Sequence, residues 1–66
     1  MKNTIRVERA KLDITQADLA EKVSVSKQTI LSIEKGKFTP SAILALKIAR
    51  FFNVKMEDLF ELEEGD

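Results

Sequence analysis

Thr15 to Gly36, TQADLAEKVSVSKQTILSIEKG, is the stretch that decides the fold. Leu19, Ala20 and Val23 recur at helical spacing, and Ile30 and Ile33 lie three apart further on. Between them Ser24 to Thr29 is polar apart from Val25. The pattern predicts one helix over 16–23, capped by the Thr15 hydroxyl, and a second over 27–35, capped by Ser26. Gly36 ends the second helix, because glycine takes a left-handed conformation at little cost. Leu31 alone falls off the apolar stripe. Two helices this close in sequence cross tightly only if the contact residue is small and the facing one branched. Ala20 and Ile30 supply that pair, and Val25 plugs the corner. The outer face of the second helix is then left free, beginning with Ser26, Lys27, Gln28 and Thr29 and continuing to Ser32.

Outward from this elbow the chain reads as further short helices. The first covers 4–12, with Ile5 and Ala10 among its inward residues, and residues 11–14 turn the chain. After the loop 37–39 a fourth helix runs to Phe52. Thr39 caps it with Pro40 in the first turn, or Ser41 is the cap; both readings stand at this point. Asn53 is a plausible end residue. A short fifth helix follows over 56–60. Residues 60–63 alternate as a strand does, and their partner is an extended Met1–Asn3. The expected fold class is all-α: five helices in a single domain over 1–66, with a short antiparallel two-stranded sheet joining the termini.

Sixty-six residues bury only about 60% of the surface the unfolded chain exposes, so stability is marginal. Small domains compensate with disulfides, a metal or a second subunit. Cysteine and histidine are both absent, which removes disulfides, thiolate nucleophiles, imidazole bases and the usual zinc ligands. There is no glycine-rich phosphate loop, so neither an enzyme nor a cofactor site is expected. Net charge is zero, but its distribution is uneven. Residues 1–55 carry all eleven basic side chains against five acidic ones, while six acidic residues lie in the last ten positions. The body is basic and the tail acidic. No apolar run is long enough to span a bilayer and no signal-peptide pattern is present, so a cytoplasmic protein is expected.

The stretches TQADLAEKVSVSKQTILSIEKGKFTPS and LALKIARFFNV resemble the Cro/repressor-type, lambda-repressor-like helix-turn-helix family of DNA-binding regulators, over residues 4–60. The resemblance implies a helix-turn-helix over 16–35 whose second helix enters the major groove of double-stranded DNA. It places Lys27, Gln28 and Ser32 at the family's base-reading positions. Gln16, Lys35, Lys37 and Thr39 fall where the family contacts the DNA backbone. Arg9 and Glu34 match the arginine and glutamate that tie the first helix to the third and orient it. One departure is plain: the family usually has glycine in the turn where this chain has Ser24, a position that tends towards positive φ.

Chemistry agrees with that assignment. The major groove distinguishes all four base pairs, and the first residues of a recognition helix approach the base edges. Gln28 both donates and accepts, as adenine N7 and N6 require. Lys27 donates to guanine or to phosphate, and Thr29 offers a hydroxyl or a methyl.

The fourth helix is apolar nearly all round, and such a helix is covered on more than one side. Leu46, Ile48, Ala49 and Phe52 are expected to face the core. Leu44 and Phe51, with Met56, Phe60 and Leu62, are expected to form a homodimer patch within residues 42–62; an acidic tail that stays near this patch and away from DNA does not oppose binding. The leading function is a sequence-specific transcriptional repressor acting as a homodimer on a pseudo-palindromic operator, with no small-molecule ligand and no membrane partner. The alternative is an antitoxin-type interaction module that uses the same patch for a different chain.

Overall fold

Side-chain caps set where the helices begin. In the computed structural model, which describes Met1–Asp66, Thr15 Oγ1 accepts from the Asp18 N–H at 3.0 Å. Asp18 Oδ2 accepts from the Thr15 N–H at 2.9 Å, completing a capping box. Ser26 Oγ accepts from the Thr29 N–H at 3.2 Å. Ser41 Oγ accepts from the Leu44 N–H at 3.1 Å, so Ser41 and not Thr39 opens the fourth helix. Pro40 therefore precedes that cap, and it is buried. The elements in order are β1 (Lys2–Asn3), α1 (Ile5–Leu12), α2 (Gln16–Lys22), α3 (Lys27–Glu34), α4 (Ala42–Phe52), α5 (Met56–Leu59) and β2 (Phe60–Glu61). β1 and β2 pair antiparallel, Lys2 opposite Glu61 and Asn3 opposite Phe60.

The helices also share a way of stopping. After α1, α2, α3 and α4 the chain passes through one left-handed residue: Asp13 (φ 55°), Ser24 (φ 61°), Gly36 (φ 75°) and Asn53 (φ 57°). At each, two N–H groups fold back onto the last carbonyls. Ser24 N–H donates to Glu21 O and Val25 N–H to Ala20 O; Gly36 N–H donates to Ile33 O and Lys37 N–H to Ser32 O. This is the Schellman arrangement, and only one of the four positions is glycine. Serine pays a steric penalty there that glycine escapes, so Ser24→Gly is expected to stabilise the fold by about 1 kcal/mol. A urea melt reads this as a higher midpoint with unchanged slope; no gain would mean the turn relaxes around the serine.

The core joins all five helices and β2. Ile5, Leu19, Ile30, Ile33, Ile48 and Leu59 are fully buried, packed with Ala20, Val23, Ala45, Ala49, Phe52 and Phe60. α2 packs on α3 more extensively than any other pair of elements. Three residues differ from the sequence reading. Ala10 is exposed, because α1 turns only one narrow stripe inward and Ile5 fills it. Leu46 is 55% exposed, because α4 seats the smaller Ala45 against its neighbours, with Ile48, Ala49 and Phe52 on the same stripe. Phe60 is buried within the chain, where β2 turns it into the core. No helix is long and apolar enough to cross a membrane.

Candidate nucleic-acid interface

The elbow forms as its small and branched residues dictate. The Val25 N–H donates to Ala20 O at 2.9 Å, locking the corner, and the Val25 side chain packs half-buried against the core. Ile30 and Ile33 seal the inner face of α3. Its outer face is therefore solvent-facing: Ser26, Lys27 and Gln28 are exposed, and Thr29 and Ser32 are half-buried. Ser26 and Thr29 hydroxyls lie 3.0 Å apart and hydrogen-bond each other, so the cap engages both while Lys27 and Gln28 remain free.

A second set of residues holds α3 in place. Arg9 Nε donates to Glu34 Oε2 at 2.7 Å, and Arg9 Nη2 to Glu34 Oε1 at 3.1 Å. This two-pronged pair links α1 to the end of α3. Arg9 Nη1 also donates to Ile14 O at 3.0 Å. The Gln16 amide donates to Glu34 Oε1 at 3.1 Å, bringing the start of α2 into the same network. The Glu34 side chain is only 4% exposed. Burial opposes its ionisation. Hydrogen bonds from Arg9 and Gln16, with the charges of Arg9 and Arg6, outweigh that and hold its pKa below the ordinary glutamate value. The hydrogen bonds from the Thr15 backbone and hydroxyl likewise depress Asp18.

A depressed carboxylate contributes stability that is fully present above its unfolded pKa, about 4, and is lost as pH falls through the lower folded value. Stability is therefore expected to decline below about pH 4. The decline should be shallower in Glu34→Gln, read from urea midpoints across pH. Identical acid slopes in the two proteins would remove Glu34 from this role.

The flanking cations differ in their surroundings. Lys27, Lys35, Lys37 and Thr39 are all exposed, and none of the three lysines pairs with a carboxylate. Lys27 lines a shallow cleft with Thr15 and Gln16 at the start of α2. Lys35, by contrast, shares a cleft with Glu34 and Glu63. The tail thus folds back towards the end of α3, held by the N-terminal amine 3.3 Å from Glu63 and 3.3 Å from Asp66. This leaves Lys37 the less encumbered cation.

Sequence reasoning missed Asn3. Its Nδ2 donates to Ile33 O at 2.8 Å, and its Oδ1 accepts from the Ile5 N–H at 3.2 Å. One amide thus closes the end of α3 and the start of α1. A polar residue just before a helix was the only signal available.

The patch expected for a second subunit is also rearranged. Leu44 and Phe51 are half-buried and pack on the core, with the Phe51 ring edge-on to Phe52 at 5.2 Å. The apolar groups that face solvent on α4 are Ile43, 70% exposed, and Leu46, with Met56 and Leu62 exposed beyond the helix.

The helix-turn-helix family profile matches residues 5–59. Among curated proteins, the chain is 54% identical over 66 residues to the HTH-type transcriptional regulator MJ0272 of Methanocaldococcus jannaschii, covering the whole of both chains. It is 52% identical over 66 residues to an HTH-type transcriptional regulator of Archaeoglobus fulgidus, covering all of this chain and 94% of that one. It is 50% identical over 64 residues to the HTH-type transcriptional regulator YgzD of Bacillus subtilis, covering 97% of each.

Proposed function

The chain belongs to the Cro/C1-type helix-turn-helix family of transcriptional regulators, and from that premise we propose that it is a sequence-specific repressor that lays α3 in the major groove of a pseudo-palindromic operator. The observation that carries this is the division of α3 into a sealed inner face, Ile30 and Ile33, and an outer face that leaves Lys27 and Gln28 unengaged. Gln28 reads a base and Lys27 a base or a phosphate. Ser26, Thr29 and Ser32 complete the reading surface. Gln16, Lys37 and Thr39 hold the backbone, with Lys35 a weaker contributor beside Glu63. Arg9 and Glu34 orient the helix. The protein represses by occupying the site that polymerase needs.

The operator is bound by a homodimer. Ile43 and Leu46 on α4 border one concavity with Met56, and Met56 borders a second with Leu62, all exposed on a chain of 7.5 kDa that has no disulfide. Water-exposed side chains of this size favour a covering partner, and a second copy is the occupant that a palindromic site calls for. Half-sites are then about 34 Å apart, one turn of the duplex. Sedimentation that finds only a 7.5 kDa species at micromolar concentration contradicts the dimer. A heterologous protein co-purifying at equal stoichiometry would assign these residues to the interaction-module reading instead.

The test of the whole reading is selection of bound duplexes from random sequence, followed by two variants. Gln28→Ala is expected to lose about 1–3 kcal/mol on the selected site and to relax preference at one position per half-site. Lys37→Ala is expected to weaken all duplexes alike and to lower the salt slope by about one unit. Equal weakening by Gln28→Ala on every sequence would make Gln28 a backbone contact. Failure to enrich any sequence removes the regulator reading.

A further inference from the structure

Phe38 stands apart from the other three phenylalanines. Phe52 and Phe60 are in the core and Phe51 packs on it, whereas Phe38 is 49% exposed and has no place in that cluster. Nor does it sit on a loosely held loop. The Lys37 and Phe38 N–H groups both donate to Ser32 O, at 3.0 and 3.3 Å. That turn folds residue 38 back along α3. The Phe38 side chain consequently walls a shallow concavity whose other sides are Ser26, Gln28, Thr29 and Ser32. The concavity opens on the outer face of the helix, and Phe38 is its one hydrophobic member.

A surface of hydroxyls and one amide with a single phenyl wall suits a polar edge that carries one small apolar group. On the major-groove edges of the four base pairs that group is the thymine C5-methyl, and a phenylalanine is among the side chains able to meet it. Gln28, whose amide matches the adenine edge, lines the same concavity.

We infer that Phe38 is a specificity-determining residue that reads the methyl group of a thymine next to the base met by Gln28. The inference rests on the proposal that α3 reads DNA. Phe38 and Gln28 then form one composite reader, in which the amide selects a base by hydrogen bonding and the ring selects its neighbour by excluding water from a methyl. Lys37 and Thr39, on either side of Phe38 in sequence, keep the backbone contacts.

The experiment uses the selected operator and replaces its thymines one at a time by deoxyuridine, which removes the methyl and nothing else. For the wild-type chain, one thymine in each half-site is expected to matter, with affinity falling about fourfold on loss of a single buried methyl. For Phe38→Ala, the thymine and uridine sites at that position are expected to bind equally. Phe38→Leu, which keeps an apolar wall, is expected to retain part of the discrimination, and it serves as the test should Phe38→Ala fail to show a wild-type melting transition. The inference is overturned if no thymine methyl matters to the wild type, or if its loss costs both variants the same fourfold. A uniform weakening of every duplex by Phe38→Ala, with the methyl neutral, would make the ring a sugar–backbone contact and also overturns it. If the wild-type chain enriches no duplex at all, the DNA-reading proposal has failed and the inference falls with it.

Discussion

Arg9→Ala is expected to destabilise the protein by about 2 kcal/mol, because the pair is part-buried and breaking a fully buried one costs about 3–5 kcal/mol. The loss arises mainly from what is left behind. Glu34 would keep its charge in a site where its side chain is 4% exposed, with only the Gln16 amide to satisfy it. Arg9 also releases Ile14 O. A domain of 66 residues has roughly 3–10 kcal/mol of stability in all, so this one change removes roughly a fifth to two thirds of it. Arg9→Met combined with Glu34→Leu is expected to cost less than Arg9→Ala alone, because no charge is then stranded. Urea melts of the single and double variants measure both. A change below about 0.5 kcal/mol for Arg9→Ala, the range of ordinary surface substitutions, would show that the pair is a surface contact.

Ile30→Ala is expected to cost about 3 kcal/mol, for a different reason. Ile30 is fully buried on α3, which packs against α2, and its removal opens a cavity in the cluster that also holds Leu19, Ala20 and Val23. Ile30→Val should cost only about 1 kcal/mol. The consequence reaches beyond stability. The angle of α3 depends on this contact, so Ile30→Val is expected to weaken specific binding more than its melting midpoint alone would suggest. Leu31→Ala, a half-buried residue outside the core cluster, is the matched comparison. An Ile30→Ala loss no larger than that of Leu31→Ala would mean that the elbow is not held by Ile30.

The contrast between these residues and α4 explains how far the sequence could be read. Thr15, Ser26, Gly36 and the stripe Leu19–Ala20–Val23 carry local signals: a hydroxyl three residues before the N–H it caps, a residue tolerant of positive φ, a helical period. Each was legible, and each stands where the spacing put it. The antiparallel pairing of the chain ends followed from alternation at 60–63. In α4 the same method fails. Leu44, Leu46 and Ile48 are equally apolar, so periodicity cannot say which way the helix is turned. Only packing assigns Ala45 to the core and Leu46 to solvent. Thr39 and Ser41 were both competent caps, and the structure has Ser41 accept from the Leu44 N–H, with Pro40 buried just before it. Asn3 bonds Ile33, and Gln16 bonds Glu34, across distances in sequence that no local pattern reports. Phe38 looked like a loop residue because its surroundings are made by a turn that folds it back on α3.

The same physics links stability to the reading head. Arg9, Gln16 and Asn3 approach α3 from α1, α2 and β1, and each bonds its last turn. That leaves the first turn, with Lys27 and Gln28, projecting from a helix anchored at its far end. A helix held in this way fixes the backbone that carries those two side chains, which lowers the ordering cost of binding.

Titration of the isotopically labelled protein with its selected duplex, followed through backbone and side-chain amide resonances, tests most directly whether the outer face of α3 meets DNA. The largest changes are expected at Ser26 to Ser32, including the Gln28 side-chain amide, with smaller ones at Gln16 and Lys37. Changes centred on Ile43, Leu46 and Met56, with residues 26–32 unmoved, would contradict a reading helix at α3.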